Sequence, residues 1–115
     1  MAAHAYARAL GLTQAGLALA PDDPVLTAAR GEAKAGLGDV KGALSDWQRA
    51  LRLDPEDIGA LYSSAFLLER EGRLDESVQA WRAILAWNAV RGLALESEWP
   101  KQELDRLQRL AARSS

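Results

Sequence analysis

A single histidine, His4, and the absence of cysteine leave this 115-residue chain short of the groups that bind transition metals or activate a nucleophile. A metal site needs several imidazole, thiolate or carboxylate ligands at set spacings, and a catalytic nucleophile needs a base beside it. His4 has no spaced partner histidine. The acid pairs Asp22-Asp23 and Asp75-Glu76 fall where helices should begin, and there negative side chains answer the positive end of the helix dipole. No glycine-rich fingerprint for phosphates or dinucleotides is present. The expectation is therefore a protein that is not an enzyme, with no cofactor and no metal, whose side chains act by contact.

The balance of charges narrows the partners. The formal charge is −2, and both signs are scattered along the chain, so there is no basic footprint for nucleic acid or anionic lipid. No nucleic-acid and no membrane partner is expected. Without cysteine, nothing in the fold requires an oxidising compartment, and a cytoplasmic location is expected. The apolar run at residues 9–20 resembles the middle of a secretory signal, but Thr13 and Gln14 interrupt it and little positive charge precedes it. It also falls into register with a repeat. No stretch reaches the ~18 to 20 apolar residues of a spanning helix.

The elements that position these side chains follow from composition and spacing. Hydrophobic residues make up 49% of the chain while aromatics are only 6%; alanine accounts for much of the difference and favours helix. Val40, Ala43, Leu44, Trp47, Ala50 and Leu51 recur at i, i+3, i+4, i+7, i+10 and i+11, a single stripe along one helix. Leu74, Val78, Trp81, Ile84 and Leu85 repeat it. A shift of 34 positions lays Gly38 on Gly72, Ala43 on Ser77 and Trp47 on Trp81; shifted backwards, it lays Ala43 on Ala9, Leu44 on Leu10, Leu51 on Leu17 and Pro55 on Pro21. Gly38-Asp39 and Gly72-Arg73 read as tight turns between antiparallel helices, with glycine in the left-handed conformation and Asp39 capping the next helix. Asp23-Pro24 and Pro55-Glu56-Asp57 separate one pair from the next.

On these residues the chain resembles the tetratricopeptide repeat family. Residues 24–57 carry Gly31, Gly38-Asp39, Ala43, Trp47, Ala50 and Leu53-Asp54-Pro55, and residues 58–91 carry Ala65, Gly72, Ser77, Trp81 and Ile84. The resemblance implies an all-α, right-handed superhelical stack of antiparallel helix pairs. There are two departures. Arg30 stands where the family usually has leucine, and Ala89 stands in place of the closing proline, so the helix from Leu74 should run on towards Ala89 or Val90. Residues 3–20 form half a unit, read either as a fragment's edge or as an N-terminal cap. Residues 97–112 read as a C-terminal capping helix, with Ser97 as its cap and Pro100 in the first turn, or with Trp99 flanking and Pro100 first in the helix. The whole is expected to be one domain.

In this family the first helix of each pair lines the concave face, where peptides are held. The resemblance places Val25, Ala28, Ala29, Glu32 and Ala35 there from one helix, and Tyr62, Ser63, Phe66, Glu69 and Arg70 from the next. Some members hold a chaperone's terminal carboxylate with basic residues on this surface; only Arg70 is basic here, so that role is not expected. Tyr62 and Phe66 lie off the stripe of Leu61, Ala65 and Leu68. They are read as partner contacts, or else as rings packed on a neighbouring helix such as the C-terminal one. Trp47 and Trp81 are expected in the core, and Trp87 and Trp99 at the junction with the cap. The expected function is a protein-interaction scaffold holding a peptide or partner protein through Ala28, Glu32, Tyr62, Phe66, Glu69 and Arg70. The alternatives are a homo-oligomerising element, or an accessory domain of a larger protein.

Overall fold

The computed structural model describes residues 2–93 and 98–114, and all regular structure among them is helical. The order is α1 (Ala2–Leu19), α2 (Pro24–Gly36), α3 (Val40–Leu53), α4 (Ile58–Arg70), α5 (Leu74–Val90) and α6 (Glu98–Ser114). The chain divides into two compact units, Met1–Ala60 and Leu61–Ser115.

The helix ends are built as the sequence dictates. At Gly38 the backbone turns to φ +87°, and the Asp39 N–H reaches back to the Lys34 carbonyl at 2.8 Å, which closes α2 and spends a carbonyl that would otherwise go unpaired. The same bond recurs from Arg73 to Leu68 and from Leu93 to Asn88, each at 2.9 Å. Asp39 and Asp23 then cap the following helices, accepting from the backbone N–H groups of Gly42 and Leu26, each at 3.0 Å. Arg73 takes the capping position of α5 without a side-chain cap. It forks instead onto Glu76, which with Asp75 faces the positive end of that helix.

In the first unit α2 packs between α1 and α3. Tyr6 of α1 lies on Gly36, and Gly16 of α1 faces Leu26. Thr13 is buried and returns its hydroxyl to the Ala9 and Leu10 carbonyls. Against α3, Trp47 is 2% exposed and lies directly over Gly31. A Cβ at position 31 would stand 2.7 Å from Trp47 Nε1, closer than packed atoms tolerate, and 3.2 Å from Asp46 Cβ, a tight contact. Glycine inside a helix costs about 1 kcal/mol relative to alanine, so its presence here reflects the indole. Gly31→Ala is therefore expected to lower stability by about 1 kcal/mol, as ~1 to 3 kcal/mol of overpacking exceeds the propensity gain. Urea unfolding checks this: a raised midpoint would mean that the Trp47 ring is free to retreat.

In the second unit α5 runs through to Val90, past Ala89, as the missing proline implies. Trp81 and Ile84 are fully buried, and the Ser77 hydroxyl donates to the Ala65 carbonyl at 3.1 Å. On α4 the buried apolar residues are Ala60, Ala65, Leu67 and Leu68, with Leu61 only half-buried, so the core stripe is turned towards Leu67. α6 seats Pro100 and Leu107 as fully buried anchors. Because α6 already includes Glu98 and Trp99, Pro100 lies within the first turn, where its missing N–H costs no bond. Trp99 is thus helical rather than flanking. Ser97, the other candidate cap, lies outside the described residues.

Candidate interaction surface

In the first unit the candidate residues sit on α2. Pro24 and the Asp23 cap fix the start of this helix, which sets the rotation of everything after it. Ala28, Ala29 and Ala35 are half-buried, and Val25 and Glu32 are exposed. Arg30 and Lys34 turn the other way. Arg30 clasps Asp46 of α3 through two bonds of 2.9 and 2.8 Å, and Lys34 reaches the same carboxylate at 3.1 Å. Asp46 is buried. Burial alone would push its carboxyl up, but the hydrogen bonds from Arg30 and Lys34 and their charges outweigh that and hold it below the usual carboxylate range. Asp46 in turn keeps Arg30 protonated. The two cations are thereby committed to the helix pair.

In the second unit the candidates sit on α4, where Tyr62, Phe66 and Glu69 share one face at i, i+4 and i+7. Three of α6's residues, Trp99, Glu103 and Arg106, have the same spacing. Tyr62 stacks on Trp99 at 6.0 Å between ring centres, and Phe66 lies 5.7 Å from it. Both rings also stand edge-on to Trp81, at 5.7 and 5.4 Å, and Trp99 meets Trp81 the same way at 5.2 Å. One turn on, Arg106 pairs with Glu69 and with Glu103 of its own helix. The pairings run in the same order along both helices, so α6 lies alongside α4 in the same direction. Tyr62 and Phe66 therefore do pack against the C-terminal helix.

The cluster is not sealed. Phe66 remains 45% exposed and Trp99 48%, so two ring edges face solvent while their other sides are gripped by Tyr62 and Trp81. Tyr62 is half-buried; burial raises its phenol, opposed by a hydrogen bond with the buried Asn88 side chain. Arg70 is exposed, with Glu71 4.0 Å away. Trp87 lies under the Arg91 guanidinium, 3.8 Å from the ring centre. Sequence reasoning missed Trp99 and Arg106 as neighbours of the α4 face, although their matched spacing and the Glu69–Arg106 charge match were available signals. Asn88 offered none. Among the described residues no group of three His, Cys, Asp or Glu is arranged to hold a metal ion, and no helix is long and apolar enough to cross a membrane.

No protein-family model matches the chain. Over 49 residues, 43% of the chain, it is 41% identical to a TPR repeat-containing protein of Methanocaldococcus jannaschii, and it spans only 9% of that protein's length. Among solved structures, the type III secretion translocator chaperone SycD of Yersinia enterocolitica aligns over 95% of this chain and 76% of its own, with a TM-score of 0.80 and 16% identity. The first TPR of Spaghetti (RPAP3), bound to the HSP90 peptide SRMEEVD, aligns over 93% of this chain and 82% of its own, with a TM-score of 0.72 and 21% identity. These two likenesses are of fold.

Proposed function

We propose that this chain, whose fold is that of the tetratricopeptide-repeat proteins it resembles, is a non-catalytic protein-interaction module that holds a peptide or partner protein. The observation that carries the reading is the pair of open aromatic edges, Phe66 and Trp99, held rigid from behind by Trp81 and Tyr62. Rings already fixed by packing lose little entropy on binding, and such anchors dominate interfaces. Arg70 beside them offers an exposed cation. In the other unit, Ala28 and Glu32 on α2 offer a small apolar step next to a carboxylate. The peptide favoured by α4 is apolar with mixed charge. The peptide bound by the Spaghetti domain, SRMEEVD, is acidic at its end, and with Arg70 the only base among the candidate residues it should bind weakly. The reading places the protein in the cytoplasm, since a cysteine-free chain needs no oxidising compartment.

The test uses peptides selected from a displayed random library on the full chain, with SRMEEVD as comparison. Phe66→Ala and, separately, Arg70→Glu are expected to weaken selected peptides by about tenfold each, or ~1.4 kcal/mol, with helix content unchanged. Arg70→Glu guards against loss of fold, because that side chain is exposed. Selected peptides indifferent to both changes would remove α4 as the contact surface.

A further inference from the structure

The two open rings of the second unit each have a carboxylate one turn beyond them. Glu69 follows Phe66 by three residues on α4, and Glu103 follows Trp99 by four on α6. Each therefore shares the face of its ring, about 4.5 to 6 Å further along the helix at 1.5 Å per residue. Among the described residues both carboxylates share one cation, Arg106. Two negative groups around a single guanidinium leave one negative charge over, and Glu69 Oε2 has no hydrogen-bond partner among those residues. Glu98, exposed just before Trp99, adds another carboxylate. The nearby bases point elsewhere. Arg70 is turned about 100° round α4 from Glu69 and has Glu71 beside it, and Lys101 is turned about 200° round α6 from Trp99.

We propose that the residue a partner peptide sets on Phe66 and Trp99 is a lysine or arginine. The inference rests on the reading of those two rings as the contact surface. The methylenes of the basic side chain lie along the rings, and its charged head reaches past them to Glu69. A partner that covers the rings also covers the carboxylates beside them. An apolar or acidic anchor would strip water from that surplus negative charge and give nothing in return. A basic anchor completes the set: Arg106 stays with Glu103 of its own helix, and the incoming cation takes the Glu69 carboxylate. The exchange brings no buried side chain to the surface, because Arg106 is 45% exposed and Glu69 23% exposed.

The probe is the set of peptides selected from the displayed random library on the full chain. Those weakened by Phe66→Ala are expected to carry a lysine or arginine, and replacing that residue by norleucine, which keeps an aliphatic stem and removes the charge, should weaken binding about tenfold. Glu69→Gln should cost as much, and should cost little more once the peptide carries norleucine, because the two changes remove the same contact. Arg106→Gln should act in the opposite direction: it removes the competing cation, and so strengthens binding of the basic peptides with helix content unchanged. If the clasp only held α6 in place, the same change would weaken them. Phe66-dependent peptides that contain no base, that keep their affinity through either the norleucine exchange or Glu69→Gln, or that lose affinity in Arg106→Gln would overturn this inference and leave the contact surface standing. Peptides indifferent to Phe66→Ala would remove the surface and the inference with it.

Discussion

Truncation of Trp81 to alanine is expected to destabilise the second unit by about 3 to 5 kcal/mol, the usual cost of emptying a large aromatic site. Trp81 has no exposed surface, and Tyr62, Phe66 and Trp99 all stand edge-on to it within 5.7 Å. Removing it opens a cavity bounded by three rings that pack on one another, of which Tyr62 is also hydrogen-bonded to Asn88. Trp99→Ala, at a half-exposed position, should cost clearly less. Trp81→Phe should fall between the two, because the buried indole N–H has no hydrogen-bond partner and losing it gives up no bond. Urea unfolding followed by circular dichroism orders the three variants. If Trp81→Ala and Trp99→Ala unfold alike, the cluster has no centre and the ring geometry does not govern the unit.

The position of Trp81 was legible because the 34-residue register places it on Trp47, and both lie on the helical stripe of their helices. The left-handed glycines at 38 and 72 were legible for the same reason: a glycine between two helical stripes has few other uses. The face of α4 was harder to read. Periodicity separated Tyr62 and Phe66 from Ala65 and Leu68, but it cannot say whether a second face meets solvent or another helix. Here it meets both, since α6 covers Tyr62 and leaves Phe66 half-open. That outcome depends on contacts between residues 33 to 37 positions apart, and helical spacing does not report such contacts.

Arg30, where the resemblance implies leucine, shows the same limit. Its explanation is Asp46, which lies across a turn on α3. The second repeat shows the substitution as a set: Arg30, Lys34 and Asp46 correspond to Ser64, Leu68 and Ala80. Charge is kept together in one pair of helices and dismissed together in the other. Neither cation alone would justify a buried carboxylate, and a buried carboxylate without them would be strongly penalised.

Asp46→Asn therefore isolates what the triad contributes. The amide keeps the shape and removes the charge, leaving Arg30 and Lys34 facing a neutral group. Breaking a fully buried pair costs ~3 to 5 kcal/mol. The Arg30 and Lys34 side chains are 25% and 22% exposed and can regain water, so a loss of about 2 kcal/mol at neutral pH is expected. Acid should erase the difference. The folded Asp46 carboxyl is held below its ordinary value, so as pH falls the unfolded chain takes up this proton first, and each step down favours unfolding. The stabilisation is complete above about pH 5 and drains away below about pH 4, through the depressed folded value. The wild-type and Asp46→Asn unfolding free energies should thus stand apart at pH 7 and converge towards pH 2 to 3. A gap that persists in acid would assign the effect to the amide's own hydrogen bonding rather than to the lost charge, and the two cations would then be spectators at the α2–α3 seam.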